Sequence, residues 1–446
     1  MKTIYNGFLT KEEMAEVLEK PSFDKVVLSS GVRAKISEMF GKEMTAQEVV
    51  AQIIEEVRKQ GDEAILRYTS VIDGVDLTAD TLAVSEADID QAMETIDKSV
   101  LAALEQAVVN VRRFHAEQMP KSWLTERNHG AMLGQKCLPI DRVGIYVPGG
   151  TAAYPSSVIM NAVPAAVAGV KEIIMVVPPA KDGTVNPYVL AAARLANVTR
   201  IFKLGGAQAI AALAFGTKTV PKVDKITGPG NLFVTLAKKA VYGHCDIDML
   251  AGPSEILIVA DDTADPAYVA ADMLSQAEHD PLASSILITD SRELAGKVTG
   301  EVKRQLELLP RKDIAAESIE ENGLIIIASD MMEAMELANL SAPEHLEILT
   351  AEPFKLLPYV RHAGAVFLGP YSPEPLGDYF AGPNHILPTG GTARFYSVLN
   401  VETFMKKTSI IAYTQAAFQE VSEQVIRLAE AEGLDAHANA VRVRRS

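Results

Sequence analysis

Four short stretches in the second half of the chain carry the residue types of a polar reaction centre. In Ser275-Gln276-Ala277-Glu278-His279-Asp280-Pro281, Gln276 and His279 stand three apart at a predicted helix end and so share a face. That pair can hold a metal. Equally, His279 can meet the negative end of the helix dipole, and glutamine is an uncommon zinc ligand. In Ser341-Ala342-Pro343-Glu344-His345-Leu346 a carboxyl and an imidazole stand side by side. Two groups with different natural pKa values suit paired acid and base work near neutrality, though an exposed loop pair reads the same way. The segment from Gly377 to His385 adds Asp378 and His385 on a Gly/Pro-rich loop, a common carrier of sites. His437 follows the last predicted helix, in a terminal region of the kind usually mobile. Together, Gln276, His279, Asp378 and His437 make a nitrogen and oxygen donor set, with Glu344 and His345 as the acid–base pair beside it. His115, His129, His244 and His362 lack such neighbours and read as packing or surface residues.

A second group of residues is rich in glycine. Gly228-Pro229-Gly230-Asn231 opens a predicted helix, where free amides can bind an anion or simply make a tight turn. Phe233 stands where the third glycine of a dinucleotide fingerprint would be, so these residues alone name no dinucleotide.

The elements around these residues alternate. Residues 1–120 read as helical, with Thr45 and Glu48 as a cap and Val49, Val50, Ile53, Ile54 and Val57 at helical spacing. A long amphipathic helix is expected over 97–118. From 143 onward, strands over 143–147, 172–177 and 200–204 alternate with helices over 162–170, 188–196 and 207–215. The pattern resumes with strands over 256–260, 285–289 and 323–328 and a helix that opens at Asp265-Pro266. Such alternation predicts parallel βαβ units covered on both faces. Ligands on such sheets sit at the carboxyl ends of strands, so the turns at 146–150, 205–208 and 228–231 are candidate contacts. A strand and a helix over 415–432 come last, ended by Gly433 and followed by a polar tail.

Composition bounds the rest. A chain of 446 residues suggests roughly three domains by length alone. A formal charge of −16 argues against nucleic acid or an anionic membrane as the main partner. Two cysteines, Cys137 and Cys245, make neither a disulfide scaffold nor a four-cysteine zinc site. Any metal must therefore be held mostly by imidazole, carboxylate or amide. The most apolar stretch, 158–168, contains Pro164 and soon meets Lys171-Glu172, short of the ~20 apolar residues that span a bilayer. With no targeting pattern at the start, a soluble cytoplasmic protein is expected.

From about Leu28 to the tail, the chain resembles histidinol dehydrogenase. The strings Gly144-Ile145-Tyr146-Val147-Pro148-Gly149-Gly150, Thr227-Gly228-Pro229-Gly230-Asn231 and Ala251-Gly252-Pro253-Ser254-Glu255 agree in order and spacing. So do those around Gln276 and His279, Glu344 and His345, Asp378, and Asn384-His385-Ile386-Leu387-Pro388-Thr389. The resemblance implies two successive oxidations of L-histidinol, through L-histidinal to L-histidine, each passing a hydride to NAD+. It implies His345 as general base and Glu344 as the residue that activates water. It implies one Zn2+ per subunit on Gln276, His279, Asp378 and His437, there to orient substrate. Substrate contacts fall on Ser254, His385 and Glu432 as well as His345 and the metal ligands, and NAD contacts on Tyr146, Gln208 and Asn231. The implied fold is α/β, with two incomplete Rossmann-like parallel-sheet domains, one inserted in the other, and small N- and C-terminal segments. The boundaries follow as an arm over 1–24, a discontinuous substrate and zinc domain over 25–142 and 252–390, an NAD domain over 143–251 and a dimerisation tail over 391–446. The implied assembly is a homodimer in which Glu432 and His437 complete the neighbour's site. Weighed beside this are a related zinc- and NAD-dependent dehydrogenase of another amino alcohol or diol, a zinc hydrolase using Glu344, and a non-catalytic metal binder.

Overall fold

The computed structural model describes residues 1–5, 11–20, 28–149 and 154–445. Gly150, the end of the first candidate turn, and the boundary expected at 24/25 lie outside the described residues.

Two parallel sheets form the body. The first has five strands, Arg142–Tyr146, Glu172–Val177, Arg200–Lys203, Lys225–Thr227 and Asp246–Ile247. Counted along the chain, they lie side by side in the order third, second, first, fourth, fifth. All pairings are parallel. This is half of a doubly wound sheet, and its winding reverses between the first and fourth strands, where a crevice opens at their carboxyl ends. Gly228 sits at that crevice with φ +110°, and a Cβ there would collide with the carbonyl of Tyr146.

The second sheet has six parallel strands in the spatial order Lys2–Tyr5, Gly323–Ile327, Ser284–Thr289, Glu255–Ala260, His345–Leu349 and Ala365–Leu368. Its last five strands repeat the same winding, and Lys2–Tyr5 adds an edge strand where sequence reading expected only helices and an arm. A small antiparallel sheet of Trp123–Glu126, Met132–Pro139 and Met405–Ala412 joins the tail to the middle of the chain. Among the described residues no helix is long and apolar enough to cross a membrane.

Local sequence explains many of the element ends. Thr45 accepts from the amide of Glu48 while Glu48 receives the amide of Thr45, closing a capping box on helix Ala46–Gln60. Asp97 caps helix Lys98–Ala116, and Asp265 caps Pro266–Ala277. Sequence grouped 25–142 with 252–390. In the structure, the apolar faces of the helices over 30–116 share their cores with the five-stranded sheet: Val49, Ile53 and Ile65 pack with Phe202 and Ile210, and Val108 and Val111 with Ile145 and Val163.

The helix expected over 162–170 begins earlier, at Pro155, and runs through Pro164 to Ala168. Proline removes the amide that would have bonded the carbonyl of Met160. Asn384 fills that gap from far along the chain, its side-chain amide donating to Met160 O at 2.6 Å. Asn384→Ala should leave that buried carbonyl unpaired and lower stability by about 1–3 kcal/mol, read as a fall in Tm. An unchanged Tm would show that water or a shifted backbone replaces the bond.

The polar tail is not a simple coil: helix Gln415–Ala431 ends before Gly433, and a second helix spans Asp435–Arg442. So short a helix is marginal alone, and this one is held by Ala438 buried against Ile426 and Ala429.

Candidate active site

The carboxyl ends of the five-stranded sheet face the amino ends of the six-stranded one across a cleft of about 520 Å3. Pro148, Gly149 and Asn231 line it from the first side, and Ser254, Glu344 and His345 from the second. At the turns after Tyr146 and Thr227 the cleft lies at strand carboxyl ends, where a ligand was expected. On the six-stranded sheet it is reversed: Ser254 precedes strand Glu255–Ala260, and Glu344 precedes His345–Leu349. Helices Pro266–Ala277 and Glu374–Tyr379 and the turns that follow them place Gln276, His279, Asp378 and His385 in the same cleft.

His345 is 3% exposed, and its Nδ1 lies 3.0 Å from the carbonyl of Glu255. A carbonyl only accepts, so Nδ1 carries the hydrogen and Nε2 is left with a free lone pair. Nε2 has no hydrogen-bond partner among the described residues and lies 3.9 Å from both Glu374 Oε1 and Asp378 Oδ1. Burial pushes the imidazole down to about 3, so it is neutral and proton-accepting at neutral pH. His385 is arranged alike: Nδ1 meets the Asp378 carbonyl at 3.0 Å, and burial pushes it down to about 4.

Glu344 is buried, and its Oε2 accepts the Glu255 amide at 2.9 Å. Burial raises its carboxyl well above the usual range, and the charges of Glu255, Asp378 and Glu374 add to that against the lowering by the Glu255 amide. One residue thus holds both members of the pair: Glu255 orients His345 through its carbonyl and Glu344 through its amide. Its own carboxylate accepts the Gly390 amide at 2.6 Å and ion-pairs with Lys20 at 2.8 Å.

Beside His345 lies a run of buried acids. Burial, then Asp378, pushes Glu374 up to about 8, and burial raises Asp378 to about 6. Glu347 accepts the Glu374 amide at 2.8 Å and sits against Asp272. The ligand atoms of His345, Glu374 and Asp378 all lie within 4.8 Å of one another. Gln276 is 1% exposed, with neither amide atom bonded among the described residues. Unpaired buried acceptors and crowded carboxyls are the donor set a divalent cation would satisfy, so the residues fit a metal.

Glu255, Glu374 and Lys20 are site residues that the sequence motifs do not single out. The available signals were an acid opening the wholly apolar run Glu255-Ile256-Leu257-Ile258-Val259-Ala260 and another, Glu347, inside an apolar strand.

Tyr146, Gln208 and Asn231 occupy the three strand-end turns. The Tyr146 hydroxyl accepts the amide of Gly206 at 3.2 Å. Gln208 is fully buried with both amide atoms unpaired among the described residues. Asn231 caps helix Leu232–Val241 by accepting from Phe233 and Val234, which takes up amides that could have met an anion. Glu432 and His437 are not in the cleft of their own chain. Both are exposed on the tail.

A family model described as histidinol dehydrogenase matches residues 38–445. A histidinol dehydrogenase of Heliobacterium mobile is 58% identical over 395 residues, 89% of this chain and 92% of the relative. One of Bacillus subtilis is 53% identical over 398 residues, 89% of this chain and 93% of the relative. The crystal structure of histidinol dehydrogenase from Elizabethkingia anophelis superposes with a TM-score of 0.91 at 36% identity, over 100% of this chain and 98% of that one.

Proposed function

The chain belongs to the histidinol dehydrogenase family, and from that premise we propose that it oxidises L-histidinol through L-histidinal to L-histidine with two NAD+. The observation that carries the proposal is His345, buried and neutral, with Nδ1 engaged by the Glu255 carbonyl and Nε2 unpaired in the cleft.

In the first step His345 Nε2 takes the alcohol proton as the carbinol C–H bond breaks and its hydride passes to NAD+, leaving the aldehyde. Next Glu344 draws a proton from water, whose oxygen adds to the aldehyde carbon while His345 returns the proton it took to the carbonyl oxygen, giving the hydrate and a neutral His345. A carboxyl of raised proton affinity is the stronger acceptor once ionised. His345 then accepts a hydrate hydroxyl proton as the second hydride leaves, which yields the acid. The buried cleft keeps the reactive aldehyde from bulk water between steps.

Gln276, His279 and Asp378, with His437 of the partner subunit, would hold one Zn2+ per subunit. When bound, the ion supplies positive charge and a template for the amine and imidazole nitrogens of the substrate. Ser254, His385 and the partner subunit's Glu432 would contact the substrate further. NAD+ would meet Tyr146, Gln208 and Asn231, a reading supported by the winding of the five-stranded sheet and the unpaired Gln208 amide. In this scheme 143–251 is the cofactor domain, 1–24 an arm, 25–142 with 252–390 the substrate domain and 391–446 the dimerisation tail. A homodimer is supported by exposed apolar side chains on the antiparallel sheet and tail, among them Trp123, Leu124, Ile411 and Leu428. A cytoplasmic location is in keeping with the unpaired Cys137 and Cys245.

The test is the yield of NADH with L-histidinol limiting: two per substrate is expected. One would mean release at the aldehyde, and none would sink the proposal. Dialysis against a chelator should abolish turnover, and added Zn2+ should restore it.

A further inference from the structure

Resting on the NAD+ reading above, we infer that Asp73 receives the adenosine ribose diol of the cofactor and sets the preference for NAD+ over NADP+. In doubly wound dinucleotide sheets an acid near the end of the second strand accepts from the ribose hydroxyls. Here the second strand, Glu172–Val177, runs into Pro178-Pro179. The next acid along, Asp182, has its Oδ1 occupied by the amide and hydroxyl of Thr184 at 3.0 and 2.7 Å. Asp182 Oδ1 is therefore not available there as an unpaired acceptor.

The helical layer supplies one instead. Asp73 closes a π-helical turn, Thr69–Asp73, and Gly74 (φ +72°) turns the chain away behind it. A Cβ added to Gly205, at the end of the third strand, would lie 2.7 Å from Pro178 Cγ and 3.3 Å from Asp73 Oδ1. Asp73 thus stands over the ends of the second and third strands. It is half-buried, and its Oδ2 is buried with no partner among the described residues. The unpaired amide of Gln208 and the Tyr146 hydroxyl, bonded to Gly206, belong to the same turn. Burial pushes the Asp73 carboxyl up to about 6.

These groups choose a ligand by chemistry. A carboxylate with unused lone pairs accepts from a diol and repels a phosphate, the one group that separates NADP+ from NAD+. The position selects the end of the cofactor. The hydride must reach the cleft beside His345, which the first and fourth strands line through Pro148, Gly149 and Asn231. Asp73 does not line that cleft, so the part of an extended dinucleotide above it is the adenosine half.

The experiment is initial-rate kinetics of Asp73→Asn and Asp73→Glu with NAD+ and with NADP+, at saturating L-histidinol, plus NADH titration by fluorescence without substrate. Asn should raise KM for NAD+ and weaken NADH binding by about tenfold or more, and narrow the NAD+/NADP+ preference by a similar factor, while KM for L-histidinol stays near wild type. Glu should recover part of the preference. Wild-type KM for NAD+ and wild-type discrimination in Asn would overturn the assignment while leaving the NAD+ reading intact. Equal losses in Asn and Glu would make Asp73 a packing residue and overturn it too. Histidinol oxidation by the wild-type protein without NAD+ reduction would overturn the NAD+ reading, and this inference with it.

Discussion

His345→Asn should lower kcat for NAD+-linked oxidation of L-histidinol by about 10^2–10^4-fold, the span usual for loss of a positioned general base. Asparagine can still meet the Glu255 carbonyl through its amide, so the fold and the Glu344 carboxyl stay in place. It has no lone pair of imidazole basicity to put where Nε2 stood. The loss should fall on kcat more than on KM, because the proton moves only in the transition state. Two controls separate this from disruption. Zinc content, by metal analysis, should match wild type, and the melting curve should not move. Undiminished turnover in the variant would remove His345 from the mechanism and pass its role to another group in the cleft. Glu344→Gln should behave differently: the first hydride transfer should persist while the second slows, so NADH per histidinol falls from two toward one.

Deleting residues 424–446 should abolish turnover while leaving a folded protein. The deleted segment contributes Glu432 and His437, both exposed in their own chain. Its apolar contacts are largely its own, since Ile426, Ala429, Ala438 and Val441 form a separate small cluster. Its charged contacts, such as Arg445 with Glu423, are exposed and worth little. The strand Met405–Ala412, which ties the tail to Met132–Pro139, is retained. The decisive result is complementation. Mixed and refolded with full-length His345→Asn, two inactive proteins should regain activity, because one kind of site pairs an intact His345 with an intact tail. Random pairing of equal amounts gives roughly a quarter of sites complete. No recovery from a mixture shown to form heterodimers would mean that each chain completes its own site.

Much of this was legible in the residues because it is local. Thr45 with Glu48, Asp97 and Asp265-Pro266 mark helix starts by satisfying amides within one turn. The apolar runs at 172–177, 256–260 and 285–289 can only be strands buried on both faces, and their alternation with helices announces parallel sheets. The adjacency of Glu344 and His345, and the spacing of Gln276 and His279, are equally local. Where reading failed, the deciding neighbour was remote. The helix expected from Ala162 starts at Pro155 instead, and the carbonyl that Pro164 leaves open at Met160 is bonded by Asn384, 224 residues away. Lys2–Tyr5 became a strand only because the edge at Gly323–Ile327 was free to pair with it. The tail helix Asp435–Arg442 is too short to hold without the apolar floor beneath Ala438.

The sequence by itself determined which groups could do chemistry, that no cysteine cluster would carry a metal, and that sheets wound in parallel would hold the site. Only the tertiary structure decided which strand ends meet. The five-stranded sheet presents carboxyl ends and the six-stranded sheet amino ends, so Ser254 and Glu344 precede their strands and His345 opens its own, where the usual rule would have them follow. It also decided that Glu255 grips both Glu344 and His345, from 89 and 90 residues away. The reason is physical. Caps, turns and periodicity are settled by neighbours along the chain, whereas the tautomer of a buried imidazole and the proton affinity of a buried carboxyl are set by whatever packing brings against them.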